Sequence, residues 1–242
     1  MILHQYPGGA GIGSISPPCL KVELALRRLK IDFKLRNHRS MSKVRKFSRT
    51  GRLPVLEVGG EFIGDSTVIL DRLEAMYPDG RLSPTDPELQ VRDRLWEHFF
   101  NDHLYWYGFY LRWVHPANKA RFLSALLGGL PFPARWIARR TVGRQQINRA
   151  RIHGTAGKTP EEAHHMLERA LTMVETGLSK GPFLQGRDEP GRGDLGMASI
   201  AVQCGFRDTM PEAMAILKTH PAILRQVEAV YAACDLALPR WW

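Results

Sequence analysis

Two helix starts carry the side chains best suited to chemistry. The first is Asp65-Ser66, which ends a short apolar run, Glu61-Phe62-Ile63, and opens the amphipathic stretch Ser66 to Met76. A helix N-terminus presents unpaired backbone N–H groups and a positive potential, so an anion can rest there. Asp65 is then placed to take an ammonium group and Ser66 a carboxylate, although simple capping accounts for the same pair. The second start is Ser16-Pro17-Pro18, a good N-cap residue followed by prolines that suit a first helical turn. Cys19 lies one turn further on, where a thiol is either buried on the helix or available for disulfide exchange. The preceding loop, Pro7-Gly8-Gly9-Ala10-Gly11-Ile12-Gly13, is glycine-rich but lacks the closing Gly-Lys-Ser/Thr of a phosphate loop. The nine histidines show no metal-ligand spacing: His164 and His165 are adjacent and so point to different faces of a helix. No metal is expected.

The elements that must hold these residues are legible from pattern. Residues 2–6 form a short apolar strand, and Leu20, Val22, Leu24 and Ala25 give a helical stripe to about Lys30. Ile31 to Leu35 alternate as a strand, and a short helix is expected around Ser42–Phe47. Val55-Leu56-Glu57-Val58, the pair Gly59-Gly60 and Glu61-Phe62-Ile63 read as a two-residue hairpin. Pro54 stands at the head of its first strand, where a missing donor needs a positional reason. Residues 79–87 are a linker by composition, separating residues 1–78 from an all-helical part over 88–242. In that part, Trp96, Phe99, His103, Trp106, Tyr110 and Trp113 recur at three- and four-residue steps, beside a second stripe of Leu104, Tyr107, Leu111 and Val114. Thr159-Pro160-Glu161-Glu162 is a capping box, whereas Gly191-Arg192-Gly193-Asp194 has only glycine at its cap position.

A strand–helix–strand unit followed by strand–strand–helix and then helices alone resembles the glutathione transferase superfamily, and Leu53-Pro54 with Asp65-Ser66 resembles its glutathione-binding half. The resemblance implies an α/β thioredoxin-like domain over 1–78 that binds glutathione as co-substrate. Leu53, before a cis Pro54, would offer its backbone to the cysteinyl part, and Asp65 and Ser66 would hold the γ-glutamyl part. It also implies a hydroxyl near the sulfur that stabilises the thiolate of a thiol with a pKa near ~8.5. Ser16, at the first position of a Cys-x-x-Cys-like frame, is the first choice for that role; Tyr6, at the end of the first strand, and Ser14 are the alternatives. The aromatic stripe is first of all core, and Tyr107, Tyr110, Arg112 and Trp113 are the minority of it expected to line the pocket for an apolar electrophile. Ser16-Pro17-Pro18-Cys19-Leu20-Lys21-Val22-Glu23 further resembles the opening of the metaxin-like and failed-axon-connections-like branch.

Composition bounds the partners. The net charge is +10, and ten of the 34 Lys and Arg residues fall between His103 and Pro160, a span with no Asp or Glu. The other 24 basic residues are balanced by the 24 acidic ones, so all the excess charge lies in one segment. Such a segment steers anions or docks on an anionic membrane surface or protein partner, and a non-catalytic docking module is the alternative to a transferase. Nucleic acid is not expected, because no recognition motif accompanies the charge. Three cysteines without a close pair argue against a disulfide framework and fit a reducing cytoplasm, and no signal peptide is expected at Met1-Ile2-Leu3. A homodimer is implied by the resemblance.

Overall fold

The computed structural model describes residues 1–39, 41–80 and 82–242, with the side chains of Met41 and Ser42 left aside. Its N-terminal half runs β1 (Ile2–Gln5), α1 (Pro17–Arg28), β2 (Lys34–Asn37), α2 (Met41–Val44), β3 (Val55–Val58), β4 (Glu61–Gly64) and α3 (Ser66–Met76). The strands form one mixed sheet in the order β2-β1-β3-β4, with β1 parallel to β2 and antiparallel to β3. This is the expected thioredoxin-like arrangement. Gly59 and Gly60 both take positive φ (56° and 88°), as a two-residue hairpin with right-handed twist requires.

One strand lies further along than its pattern suggests. Alternation predicts Ile31–Leu35, but β2 begins at Lys34, paired with Ile2. The Ile31 N–H donates to the Leu26 carbonyl and Phe33 packs under Arg27, so both apolar residues close the end of α1. β2 itself is an exposed edge strand, where burial imposes no alternation.

The helical half comprises α4 (Pro87–His98), α5 (Tyr105–Trp113), α6 (Pro116–Leu127), α7 (Phe132–His153), α8 (Pro160–Gly177), α9 (Arg192–Ala201), α10 (Pro211–Lys218) and α11 (Pro221–Ala233). A π-helical turn, Phe99–Leu104, joins α4 to α5 without a break. The box at Thr159 forms as expected: its hydroxyl accepts from the Glu162 N–H, and the Glu162 carboxylate accepts from the Thr159 N–H. At α9 the missing cap side chain is supplied from another helix. Asp93 of α4 accepts from the backbone N–H groups of Arg192 (3.3 Å) and Gly193 (3.2 Å). A Cβ on Gly191 would lie 2.6 Å from an Asp93 carboxylate oxygen and 2.1 Å from an Arg187 guanidinium nitrogen. Glycine is therefore needed at that cap so that the α4 carboxylate can reach the helix end.

The two halves meet through a buried charge network. Glu97 of α4 accepts from Lys21 of α1 (2.8 Å), Arg192 of α9 (2.7 Å) and the Thr67 hydroxyl of α3 (2.9 Å). Arg192 also reaches Asp71 (2.6 Å), Glu74 (3.0 Å) and the Thr67 carbonyl (3.0 Å). Lys21, Glu97 and Arg192 are all fully buried, so four helices are keyed by ions that have left water together.

Candidate functional site

A cleft of about 1020 Å³ lies between the halves. Its thioredoxin-like wall holds Tyr6, Ser16, Leu53, Pro54, Asp65 and Ser66. Its helical wall holds Asn101, Tyr105, Trp106, Arg149 and Ile200, with the fully buried Phe100 behind them.

The Leu53–Pro54 peptide is cis, which answers why a proline heads β3. It ends a loop pinned by Ser48, whose hydroxyl donates to the Arg52 carbonyl (2.7 Å) and accepts from the Arg52 N–H (3.0 Å). Asp65 caps α3: one carboxylate oxygen accepts from the N–H groups of Thr67 (2.8 Å) and Val68 (3.3 Å). Its backbone sits at φ 72°, ψ 127°, a region that costs a non-glycine residue on the order of 1–3 kcal/mol. That strain coincides with an exposed carboxylate on the cleft rim, while Ser66 beside it is buried.

Ser16 is the N-cap of α1, but its hydroxyl caps no backbone group, and it faces the cleft. Its position is set from three sides. The Ser14 hydroxyl donates to the Tyr6 carbonyl (2.8 Å) and accepts from the Ser16 N–H (3.3 Å). Arg112 donates to the Ile15 carbonyl (3.0 Å), and Gln203 to the Ser14 carbonyl (3.0 Å). Ser14 is thus fully buried and committed to holding the loop, so it does not reach the cleft. Tyr6 does reach it; burial pushes its hydroxyl up to about 12, which keeps it neutral. Cys19 is buried, and burial raises its thiol to about 11, so it is a core residue and not an exchange partner.

The helical wall differs from the pocket expected from sequence. Tyr107, Tyr110, Arg112 and Trp113 do not line the cleft; all four are buried in the helical half. The Tyr110 hydroxyl donates to the Lys158 carbonyl (2.9 Å), and Trp113 packs edge-on against Phe122. Arg112 lies over the Phe122 ring and holds the Ser16 loop, and burial lowers it to about 10. Trp106, Tyr110 and Trp113 share one face of α5 at i, i+4 and i+7, but only the first turn of that helix opens on the cleft; its later turns pack against Phe122 of α6 and the Lys158 backbone. Tyr105 and Trp106 take the cleft instead, with Trp106 stacked on His153 (3.9 Å between centroids).

Comparison with known proteins fits this geometry. Residues 17–118 match the glutathione S-transferase N-terminal domain family. Failed axon connections of Drosophila melanogaster is 30% identical over 199 residues, covering 78% of this chain and 46% of that protein. The chain thus spans less than half the length of that relative. A glutathione S-transferase from Methylobacterium radiotolerans, in complex with glutathione sulfonate, superposes with a TM-score of 0.62 at 20% identity, covering 98% of this chain and 94% of that one. Another, from Methylobacillus flagellatus with glutathione bound, gives 0.58 at 18% identity over 97% and 96%. A shared fold over nearly the whole chain and a matching N-terminal family show that this chain has the glutathione S-transferase fold, with a glutathione S-transferase N-terminal domain over residues 17–118.

Proposed function

We propose that the chain binds glutathione along the thioredoxin-like wall and adds its thiolate to an apolar electrophile held against the helical wall. The observation that carries this reading is one cleft in which Leu53 before a cis proline, Asp65-Ser66 at one helix start and Ser16 at another face a wall of Tyr105, Trp106 and Ile200. The N-terminus of α1 and the Ser16 hydroxyl favour a thiolate beside them. The aromatic wall suits an apolar or aromatic acceptor, and Arg149 places a cation at its edge.

Retention on immobilised glutathione tests the binding half. The wild type should be retained and eluted by free glutathione. Asp65→Asn keeps an acceptor for the Thr67 and Val68 N–H groups but removes the charge that would meet an ammonium group. It should weaken binding by about tenfold or more while its melting temperature stays near wild type, a loss matching a hydrogen bond to a charged group. Failure of the wild type to bind would remove the transferase reading and leave the docking module.

The same reading includes a homodimer. Val91 and Leu95 stand exposed on α4, Leu95 at 63%, with Val68 exposed on neighbouring α3. Arg94 between them reaches Asp71 and Glu74 of α3, so these side chains share one side of the molecule. Exposed apolar side chains grouped in this way suit a second copy. Leu95→Glu should convert a dimer into a monomer in sedimentation velocity, and an unchanged mass would remove this face as the contact.

A further inference from the structure

The start of α7 is a different kind of surface. α7 is 22 residues long, yet only Gly143 and Ala150 on it are buried. Counting back from these two at helical spacing, the same stripe continues through Arg139, Trp136 and Phe132. There it has run past the body: Phe132 is 69% exposed and Trp136 50%, with Ile137 at 54% and Leu130 in the preceding turn at 40%. Arg135, Arg139, Arg140 and Arg144 stand among them, in the span that contains no carboxylate. The Arg140 guanidinium lies 4.1 Å from the Trp136 ring centroid.

We propose that this α6–α7 tip docks on the surface of an anionic lipid bilayer. Four cations within three turns complement a negative surface, and a protruding apolar end with a tryptophan suits the headgroup boundary, where such a face enters about 5–10 Å. A second copy fits poorly, because a two-fold contact through this face sets arginine against arginine. Among the described residues no helix is long and apolar enough to cross a membrane, so the contact assigned is with the bilayer surface. This inference does not depend on glutathione binding and survives its failure.

Co-sedimentation of the full chain with phosphatidylcholine vesicles, with and without one-third phosphatidylglycerol, tests it. Wild type should pellet with the anionic vesicles at low salt and much less at high salt. Each arginine near such a surface contributes about fivefold, so Arg135→Gln with Arg139→Gln and Arg140→Gln should lower partitioning about a hundredfold. Phe132→Ser with Trp136→Ser leaves every charge in place and should still lower it at least tenfold. These positions are at the exposed tip, and unchanged circular dichroism confirms that the variants fold. Equal binding to neutral vesicles, or no effect of the apolar pair, overturns the proposal. So does binding of duplex DNA that is lost in the arginine variant while vesicles leave the chain in the supernatant. Self-association that the apolar pair abolishes assigns the tip to copy–copy contact and likewise overturns it.

Discussion

Glu97→Ala should lower the unfolding free energy by about 3–5 kcal/mol, because it leaves buried cations without their shared counter-ion. Lys21 would keep only Asn101 (3.1 Å), and Arg192 would keep Asp71 and Glu74 at the edge of the network. For a chain of this size the melting temperature should fall by about 10 °C. Calorimetry of the variant checks it, and a fall of under about 2 °C would show that the network does not hold the halves together. The pH dependence carries the same signature. Burial alone would raise the Glu97 pKa, but Lys21 and Arg192 overcome it and bring it down from 4.5 to about 2. A carboxylate held below its unfolded value stabilises above that value, so about 3 kcal/mol is present above pH ~4.5 and lost between there and pH ~2. Asp194 has the opposite sign. Burial raises it to about 6, although the N–H groups of Leu184 and Gly191 and the Gln226 amide donate to it. The folded chain therefore takes up a proton there as pH falls from about 6 towards 4, which stabilises. The joint contribution of these two carboxyls should thus be greatest near pH 4–5, while His38, His103, His115 and His153, which burial holds below the ordinary imidazole value, oppose it as pH falls through that value. Asp194→Asn should flatten the neutral side of that curve, and Glu97→Ala should shrink the acid side.

Ser16→Ala should lower turnover with an electrophilic aromatic acceptor by about a hundredfold, the size expected for losing one preorganised donor at a developing or resting anion. Glutathione affinity should change little, because the proposed binding mode rests on Leu53, Asp65 and Ser66. The separation is physical. The Ser16 hydroxyl caps no backbone group, so its removal costs α1 no side-chain hydrogen bond to its N-terminus. The pKa of bound glutathione, read from thiolate absorbance against pH, should rise towards that of the free thiol. Tyr6→Phe is the decisive control. If it produces the loss and Ser16→Ala leaves turnover intact, the hydroxyl on the first strand is the donor and Ser16 is only the first residue of the helix.

Local signals carried much of this far. Gly59-Gly60 between two short apolar runs specifies the hairpin, Pro54 marks a backbone kept out of the ladder, and Asp65 and Thr159 are caps whose partners lie within three residues. Each depends on contacts a few positions apart, so the chain alone determines them. The thioredoxin-like order and the helical half were legible from such signals.

What the tertiary structure decided are the relations between distant segments. Only the first turn of α5 opens on the cleft, so Tyr105 and Trp106 line it while Tyr107, Tyr110, Arg112 and Trp113 are buried in the helical half. Asp93 became the cap of a helix about a hundred residues away, Arg112 and Gln203 became the supports of the Ser16 loop, and Lys21, Glu97 and Arg192 met in the interior. Periodicity reports which face of a helix is apolar, but only packing determines whether that face meets the core, a cleft or water, and at the start of α7 it meets water.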